Sequence, residues 1–256
     1  MDSALVVVEP QDFRRVAVVG DLHGDYQALL GLLGFVDLEV DLLVFLGDYG
    51  DRGAFGVEVV GAVAGLLRDY PGNVVALMGN HEDYTDQGEP RFSPFALSAE
   101  VESKLGSWSR YFRSELKPFL DALHLSVLVA DNALLVHGGV STKLTGIGDL
   151  RFPSAGLRMD ILWSDPFDGV GEQPNVGRGA GVMFGADVSA GVCRAVDVER
   201  IVRSHQPTHA MTKPSYRHHR RVITVNATSV YGGVPYVFFV DPKSTKKDHY
   251  KNIQRS

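Results

Sequence analysis

Five short apolar runs in this sequence each end in a polar cluster carrying aspartate, histidine or asparagine. VAVV (16–19) runs into GDLHG (20–24), LLVFL (42–46) into GDYGDRG (47–53), and VVALM (74–78) into GNHE (79–82). Later, ALLV (133–136) meets HGG (137–139) and ERIVR (199–203) meets SHQ (204–206). The side chains gathered this way are Asp21, His23, Asp48, Asp51, Asn80, His81, His137 and His205. Carboxylates buried at strand ends are costly unless a cation meets them. This mixture of carboxylate, imidazole and amide donors suits a hard or borderline divalent metal. The set exceeds what one catalytic ion uses, which is about three protein ligands with one position left open. A carboxylate shared between two ions about 3.5–4 Å apart employs it better, so the inventory predicts a dinuclear centre.

Each run has strand length and is rich in Val, Ile or Leu, as expected of strands covered on both faces. Strands are expected at 15–19, 42–46, 74–77, 125–129, 134–136, 201–202, 222–225 and 236–240. Helical periodicity falls at 26–33, 57–67 and 99–123, where Trp108, Tyr111, Phe112 and Leu116 share a face. Lys117-Pro118 is expected to interrupt that last helix, because proline removes a donor. The first half therefore reads βαβαβ, and ligand sites in such sheets lie beyond the carboxyl ends of strands, where all five clusters sit. The Gly- and Pro-bearing stretch 142–185 reads as long functional connections.

The chain has 256 residues, 45% of them hydrophobic, enough for one large core. A single catalytic domain over 1–256 is expected, with its core at about 15–241 and a short basic tail. A formal net charge of -6 argues against a nucleic-acid partner. The clusters 217–221 (RHHRR) and 243–251 read as solvated surface. One cysteine, Cys193, excludes an internal disulfide and a Cys-type zinc site, and it reads as a buried or half-buried thiol. An acid at position 2, no basic leader and no apolar stretch of bilayer length lead to the expectation of a soluble, cytoplasmic protein with no membrane partner.

The motifs GDLHG, GDYGDRG, GNHE, HGG, WSDP (163–166), RGAGVMFG (178–185) and RSHQ (203–206), in this order, resemble a known signature set. It is that of the phosphoprotein phosphatase family of serine/threonine phosphatases, within the calcineurin-like metallophosphoesterases. The resemblance spans roughly 16–240. It implies an α/β fold: a central β-sandwich of mixed sheets flanked by helices in four layers, with the dinuclear centre at the strand ends. It divides the ligands into Asp21 and His23 for one ion, Asn80, His137 and His205 for the other, and Asp48 as the bridge. Two divalent metal ions follow as cofactors, with manganese favoured and iron, zinc or cobalt compatible with the same ligands. The expected partner is a phosphoprotein or phosphopeptide substrate. A regulatory subunit is not readable, and so little lies outside the motifs that no appended regulatory domain is expected. Three departures stand out: Gly50 in GDYGDRG, ATSVY (227–231) with Tyr231 as its one counterpart to the family's later segment, and Pro207-Thr208 after Gln206.

The implied activity is hydrolysis of phosphomonoesters by direct attack of a hydroxide bridging the two ions. Two divalent ions bring four positive charges and Asp21, Asp48 and the hydroxide return three, leaving about +1 for a phosphate dianion. Arg52 and Arg178 are candidates for holding the phosphate oxygens, since a guanidinium offers a planar, permanently charged fork, with Asn80 and Tyr231 beside them. An alkoxide leaving group needs a proton, which His81 can donate while Asp51 fixes its tautomer. A phosphodiesterase or dinucleoside tetraphosphate hydrolase of the same superfamily is the alternative, and WSDP and RGAGVMFG weigh against it. An inactive scaffold is a third reading, opposed by the complete ligand set and both arginines.

Overall fold

The computed structural model describes residues 4–253 and begins with β1 (Leu5–Val8). Next come β2 (Val16–Val19), α1 (Tyr26–Leu33), β3 (Leu42–Phe45), α2 (Gly56–Asp69) and β4 (Val74–Ala76), the expected βαβαβ unit. A helical segment follows: α3 (Leu97–Leu105), α4 (Trp108–Tyr111), a π turn (Phe112–Leu116) and α5 (Lys117–Asp121). Then come β5 (Ser126–Val129), β6 (Ala133–Val136), α6 (Ile147–Arg151), α7 (Ala155–Trp163), β7 (Asp165–Pro166), β8 (Glu172–Pro174) and β9 (Val182–Phe184). The chain continues through α8 (Ala186–Ala195), β10 (Arg200–Arg203), β11 (Ser215–Arg217), β12 (Val222–Thr224), β13 (Tyr236–Val240) and β14 (His249–Asn252).

Two mixed sheets form the centre. One has the order β1-β5-β6-β10-β12-β11 and the other β14-β13-β2-β3-β4. Strands β2, β3 and β4 run parallel, as do β6, β10 and β12, so their carboxyl ends fall on one rim of each sheet. Side chains alternate between cores along β2, β3 and β6, which is why those runs are apolar throughout. Val16, Val18, Leu42 and Val44 face the core between the sheets, together with Leu135 and Val202 from the other side. Ala17, Val19, Leu43 and Phe45 face outward onto the helical layer that includes Leu29, Val59 and Phe112. The opposite outer face, with Leu134 and Val136, is covered by Leu157, Ile161 and Val192. Helices, sheet, sheet and helices therefore stack in the expected four layers.

Several expectations are corrected. The helix expected over 99–123 breaks at Gly106, whose left-handed φ of 81° closes α3, and not at Lys117-Pro118. Pro118 is absorbed in the first turn of α5, where its missing N–H costs nothing. The 142–185 stretch holds α6, α7 and a three-stranded sheet of order β7-β9-β8, whose strands are too short to show a period. The apolar N-terminal run forms β1, and residues of the basic tail, exposed as expected, also add β14 to the edge of the second sheet. Within RHHRR, His218 is buried and bonded to Ser189 Oγ and Phe167 O at 3.0 Å each, so it is structural. Cys193 is buried, and burial pushes its thiol up to about 11, leaving it unreactive.

Asp41, just before β3, ties the edge of this layer. Its buried carboxylate accepts from Arg14 Nε at 2.9 Å, from Arg15 Nη2 at 2.9 Å and from the Asp37 N–H at 3.1 Å. Burial works to raise its pKa, but the two arginines outweigh that and hold it below the usual carboxylate range. A depressed folded pKa adds stability above the unfolded value of about 3.9, which disappears as pH falls through the folded value. Urea unfolding should therefore show Asp41→Asn clearly less stable than wild type at pH 7, with the gap narrowing below about pH 4. A gap that stays constant in acid would remove this ion-pair contribution.

Candidate active site

The five polar clusters converge where the carboxyl rims of the two sheets meet. The second sheet supplies Asp21 and His23 after β2, Asp48 to Arg52 after β3, and Asn80 to Glu82 after β4. The first sheet supplies His137 after β6 and His205 after β10. Loops that bend this sharply use unusual backbone: His23, Asp48, Asp51, Arg52 and His205 all have positive φ, between 46° and 68°. Non-glycine residues in the left-handed region are uncommon, and their concentration here is strain that the surrounding packing holds in place. Gly79 is required by a close approach, since a Cβ there would lie 2.2 Å from Asp48 Oδ1.

The donor atoms face inward. His23 Nε2 lies 3.4 Å from Asp48 Oδ2 and 3.9 Å from Asp21 Oδ2, while its Nδ1–H donates to Gly50 O at 3.1 Å. His137 Nδ1–H donates to Leu46 O at 2.9 Å, so a neutral ring presents Nε2 as a lone pair. That Nε2 faces Asn80 Oδ1 at 3.0 Å, His205 Nδ1 at 3.1 Å and Asp48 Oδ1 at 3.5 Å. Burial holds both imidazoles neutral, lowering His23 to about 4 and His137 to about 3, and drives His205 well down as well. Asp48 is pushed well up by burial, with Asp21 and Glu82 nearby adding to the rise.

Lone pairs pointing at lone pairs around a destabilised carboxylate are what a cation relieves. Two overlapping trios have donor atoms within 4.8 Å of one another, His23-Asp48-His81 and Asp48-His137-His205, with Asp48 in both. Asp21 Oδ2 and His205 Nε2 are buried without any hydrogen-bond partner among the described residues. Asp21 Oδ1 meanwhile accepts from His205 N–H at 3.0 Å. The donor set thus fits a pair of divalent ions sharing Asp48.

Around these atoms lies a cleft of 240 Å³ that brings Arg52, Asn80, His81, Arg178 and Tyr231 together. Tyr231 packs edge-on against His23 at 5.7 Å between ring centroids. His81 Nδ1 is 2.8 Å from Asp51 Oδ2, and Asp51 Oδ1 accepts from the N–H groups of Ala96 and Leu97 at 2.7 and 2.8 Å. Asp51 thereby anchors the imidazole to the start of α3. Burial disfavours the imidazolium of His81, but Asp48 and Asp51 outweigh it and the net shift is upward.

Sequence reasoning missed two supports. Glu82 Oε2 accepts from Asp48 N–H at 2.8 Å and from Gly79 N–H at 2.9 Å, and its Oε1 from Tyr49 N–H at 3.0 Å, locking two ligand loops together. Burial lifts its pKa to about 7. Beneath the cleft, fully buried Arg203 donates to Asp165 Oδ1 at 2.9 Å, to Gln206 Oε1 at 2.8 Å and to Gly138 O. Asp165 Oδ2 takes Arg178 Nε at 2.9 Å, and Arg178 Nη2 reaches His205 O at 3.0 Å. One carboxylate therefore orders both arginines, and GNHE, WSDP and RSHQ carried these residues without revealing their partners. Asp165→Asn should leave buried Arg203 without its hydrogen-bonded counter-charge and cost about 3–5 kcal/mol in urea unfolding. A loss under about 1 kcal/mol would show that the carbonyl acceptors suffice.

The sequence model of the calcineurin-like phosphoesterase family matches residues 14–209. The serine/threonine-protein phosphatase 6 catalytic subunit of Caenorhabditis elegans is 30% identical over 252 residues, covering 93% of this chain and 73% of that relative. The chain belongs to the calcineurin-like phosphoesterases, in their phosphoprotein phosphatase family. Another serine/threonine-protein phosphatase of Caenorhabditis elegans is 35% identical over 199 residues, covering 75% of this phosphoesterase chain but only 42% of the relative's own length. A solved serine/threonine phosphatase of Saccharomyces cerevisiae, with similarity to human phosphatase PP5, superposes with a TM-score of 0.84 at 23% identity. It covers 100% of the phosphoesterase chain and 85% of its own, which establishes the shared fold.

Proposed function

We propose that this phosphoesterase chain is a metal-dependent protein phosphatase acting on phosphoserine and phosphothreonine, with residues 1–256 as one catalytic domain. The observation that carries it is Asp48 shared by two donor trios at the base of a cleft lined by Arg52 and Arg178. The two sequence relatives described above, both named as serine/threonine-protein phosphatases, favour this reading over dinucleoside tetraphosphate hydrolysis.

Asp21, His23, Asp48, Asn80, His137 and His205 would hold the two ions. Bound there, divalent ions supply charge neutralisation for a phosphate dianion and activate water near neutral pH. Arg52 and Arg178 grip the phosphoryl oxygens, and Asp165 keeps Arg178 extended over the cleft. Asn80 and Tyr231 border the same phosphate, Tyr231 from the wall formed with His23. His81 carries a proton to the departing seryl oxygen while Asp51 fixes its ring. Asp165, Arg203 and Glu82 keep their positions and touch no reacting atom.

Manganese is the proposed metal of the purified protein, and the cytoplasm the proposed compartment. No helix among the described residues is long and apolar enough to cross a membrane. The deciding experiment is turnover of phosphoserine, phosphothreonine and phosphotyrosine peptides and of diadenosine tetraphosphate, with manganese, iron, zinc or cobalt restored to chelated protein. Preferential release of phosphate from the phosphoserine and phosphothreonine peptides is expected. Preferential cleavage of diadenosine tetraphosphate would overturn the proposal.

A further inference from the structure

A second cavity, of 460 Å³, opens between the β11–β12 hairpin and the turn Thr245–Lys247. It shares no lining residue with the metal-site cleft. Arg200, at its floor, is the first residue of β10, whereas His205 follows the last, so the two sites lie at opposite ends of one strand.

Four basic side chains line this cavity, Arg200, Arg220, Arg221 and Lys246, against two carboxylates, Glu199 and Asp248. Both carboxylates are already engaged. Asp248 pairs through both oxygens with Arg200 and also accepts the Asp241 N–H at 3.1 Å, and Glu199 accepts from Thr245 Oγ1 at 2.8 Å. Among the described residues no carboxylate lies within 4.0 Å of the charged nitrogens of Arg220, Arg221 or Lys246.

The wall geometry sharpens the imbalance. Arg220 lies over the Tyr216 ring at 4.0 Å, which keeps its charge on the hairpin wall beside Arg221. Lys246 stands on the facing wall, in the tail. Like charges held across one concavity repel unless an anion sits between them, and in a chain of net charge -6 such a basic hollow focuses potential locally. At the floor, Arg200 is 4% exposed and its Nε has no hydrogen-bond partner, so the existing carboxylates do not exhaust its donors. A volume of 460 Å³ also falls in the range of small-molecule sites, about 300–1,000 Å³, and exceeds the needs of one phosphate ion.

We propose that this cavity binds a linear phosphate chain, free or carried by a nucleoside, that bridges Arg220 and Arg221 on the hairpin to Lys246 on the tail. The site is independent of the metal centre and of the reaction assigned to it.

Calorimetric titration of the full chain, chelated and dialysed so that the metal centre is silent, tests this with tripolyphosphate, adenosine triphosphate and orthophosphate. The first two are expected to bind at one site per chain, and orthophosphate at least about tenfold more weakly, because it cannot span both walls. Lys246→Glu, at an exposed position, and Arg221→Ala should each weaken tripolyphosphate at least about tenfold and flatten its salt dependence, with melting temperatures unchanged. Arg178→Ala, in the other cleft, should leave the affinity alone. Adenosine triphosphate no tighter than tripolyphosphate assigns the free chain, and tighter binding assigns the nucleoside-borne one. No binding of either, equal affinity for orthophosphate, or loss with Arg178→Ala but not with Lys246→Glu overturns the proposal.

Discussion

His81→Ala is expected to lower kcat on a phosphoserine peptide by about 10²–10⁴-fold, the usual contribution of a positioned acid, while leaving 4-nitrophenyl phosphate hydrolysis far less affected. The asymmetry follows from the leaving groups, since a seryl alkoxide must be protonated as it departs and an activated phenolate need not be. The geometry supports a donor more than a bystander: Asp51 sits 2.8 Å from His81 Nδ1 and is itself pinned by two N–H groups of the α3 terminus. Metal analysis decides between this role and the other one open to the ring, because His81 also falls in a trio with His23 and Asp48. Two ions per chain in the variant, with the substrate-dependent loss, are expected. Loss of an ion would make His81 a ligand, and equal losses on both substrates with both ions retained would leave the proton to another group.

Asp48→Asn is the second large effect. The substitution keeps shape and removes charge at the one residue common to both donor trios, 3.4 Å from His23 Nε2 and 3.5 Å from His137 Nε2. Metal affinity should fall by more than the 10–100-fold typical of outer-sphere changes, so that dialysed protein retains close to no metal and hydrolyses neither substrate detectably. Chelated wild type carries the buried carboxylate without a cation, so the chelated variant should be at least as stable in urea as chelated wild type. A variant that keeps both ions and turns over would end the bridging assignment.

The candidate ligands were legible because each follows an apolar strand abruptly, and strand ends are where α/β sheets place their sites. The layers were legible too, since Leu42–Phe45 and its neighbours are apolar at every position, which only coverage on both faces explains. What escaped were relationships with no local periodicity. Glu82 bonds three N–H groups, and Asp165 and Arg203 meet across 38 positions of chain, a pairing no local pattern reports. Short strands such as Asp165–Pro166 and Val182–Phe184 hold too few residues to show alternation. Gly106, and not Pro118, ends the helix expected over 99–123, because a left-handed glycine ends a helix and a first-turn proline begins one.

Because the donor loops come from both sheets, a chain nicked near Asp131, in the turn joining β5 to β6, would carry Asp21, His23, Asp48 and Asn80 on one fragment. His137 and His205 would lie on the other, and neither piece could hydrolyse anything alone. Catalytic competence would return only as the fragments complement each other, so enzymatic turnover becomes a gauge of their reassembly.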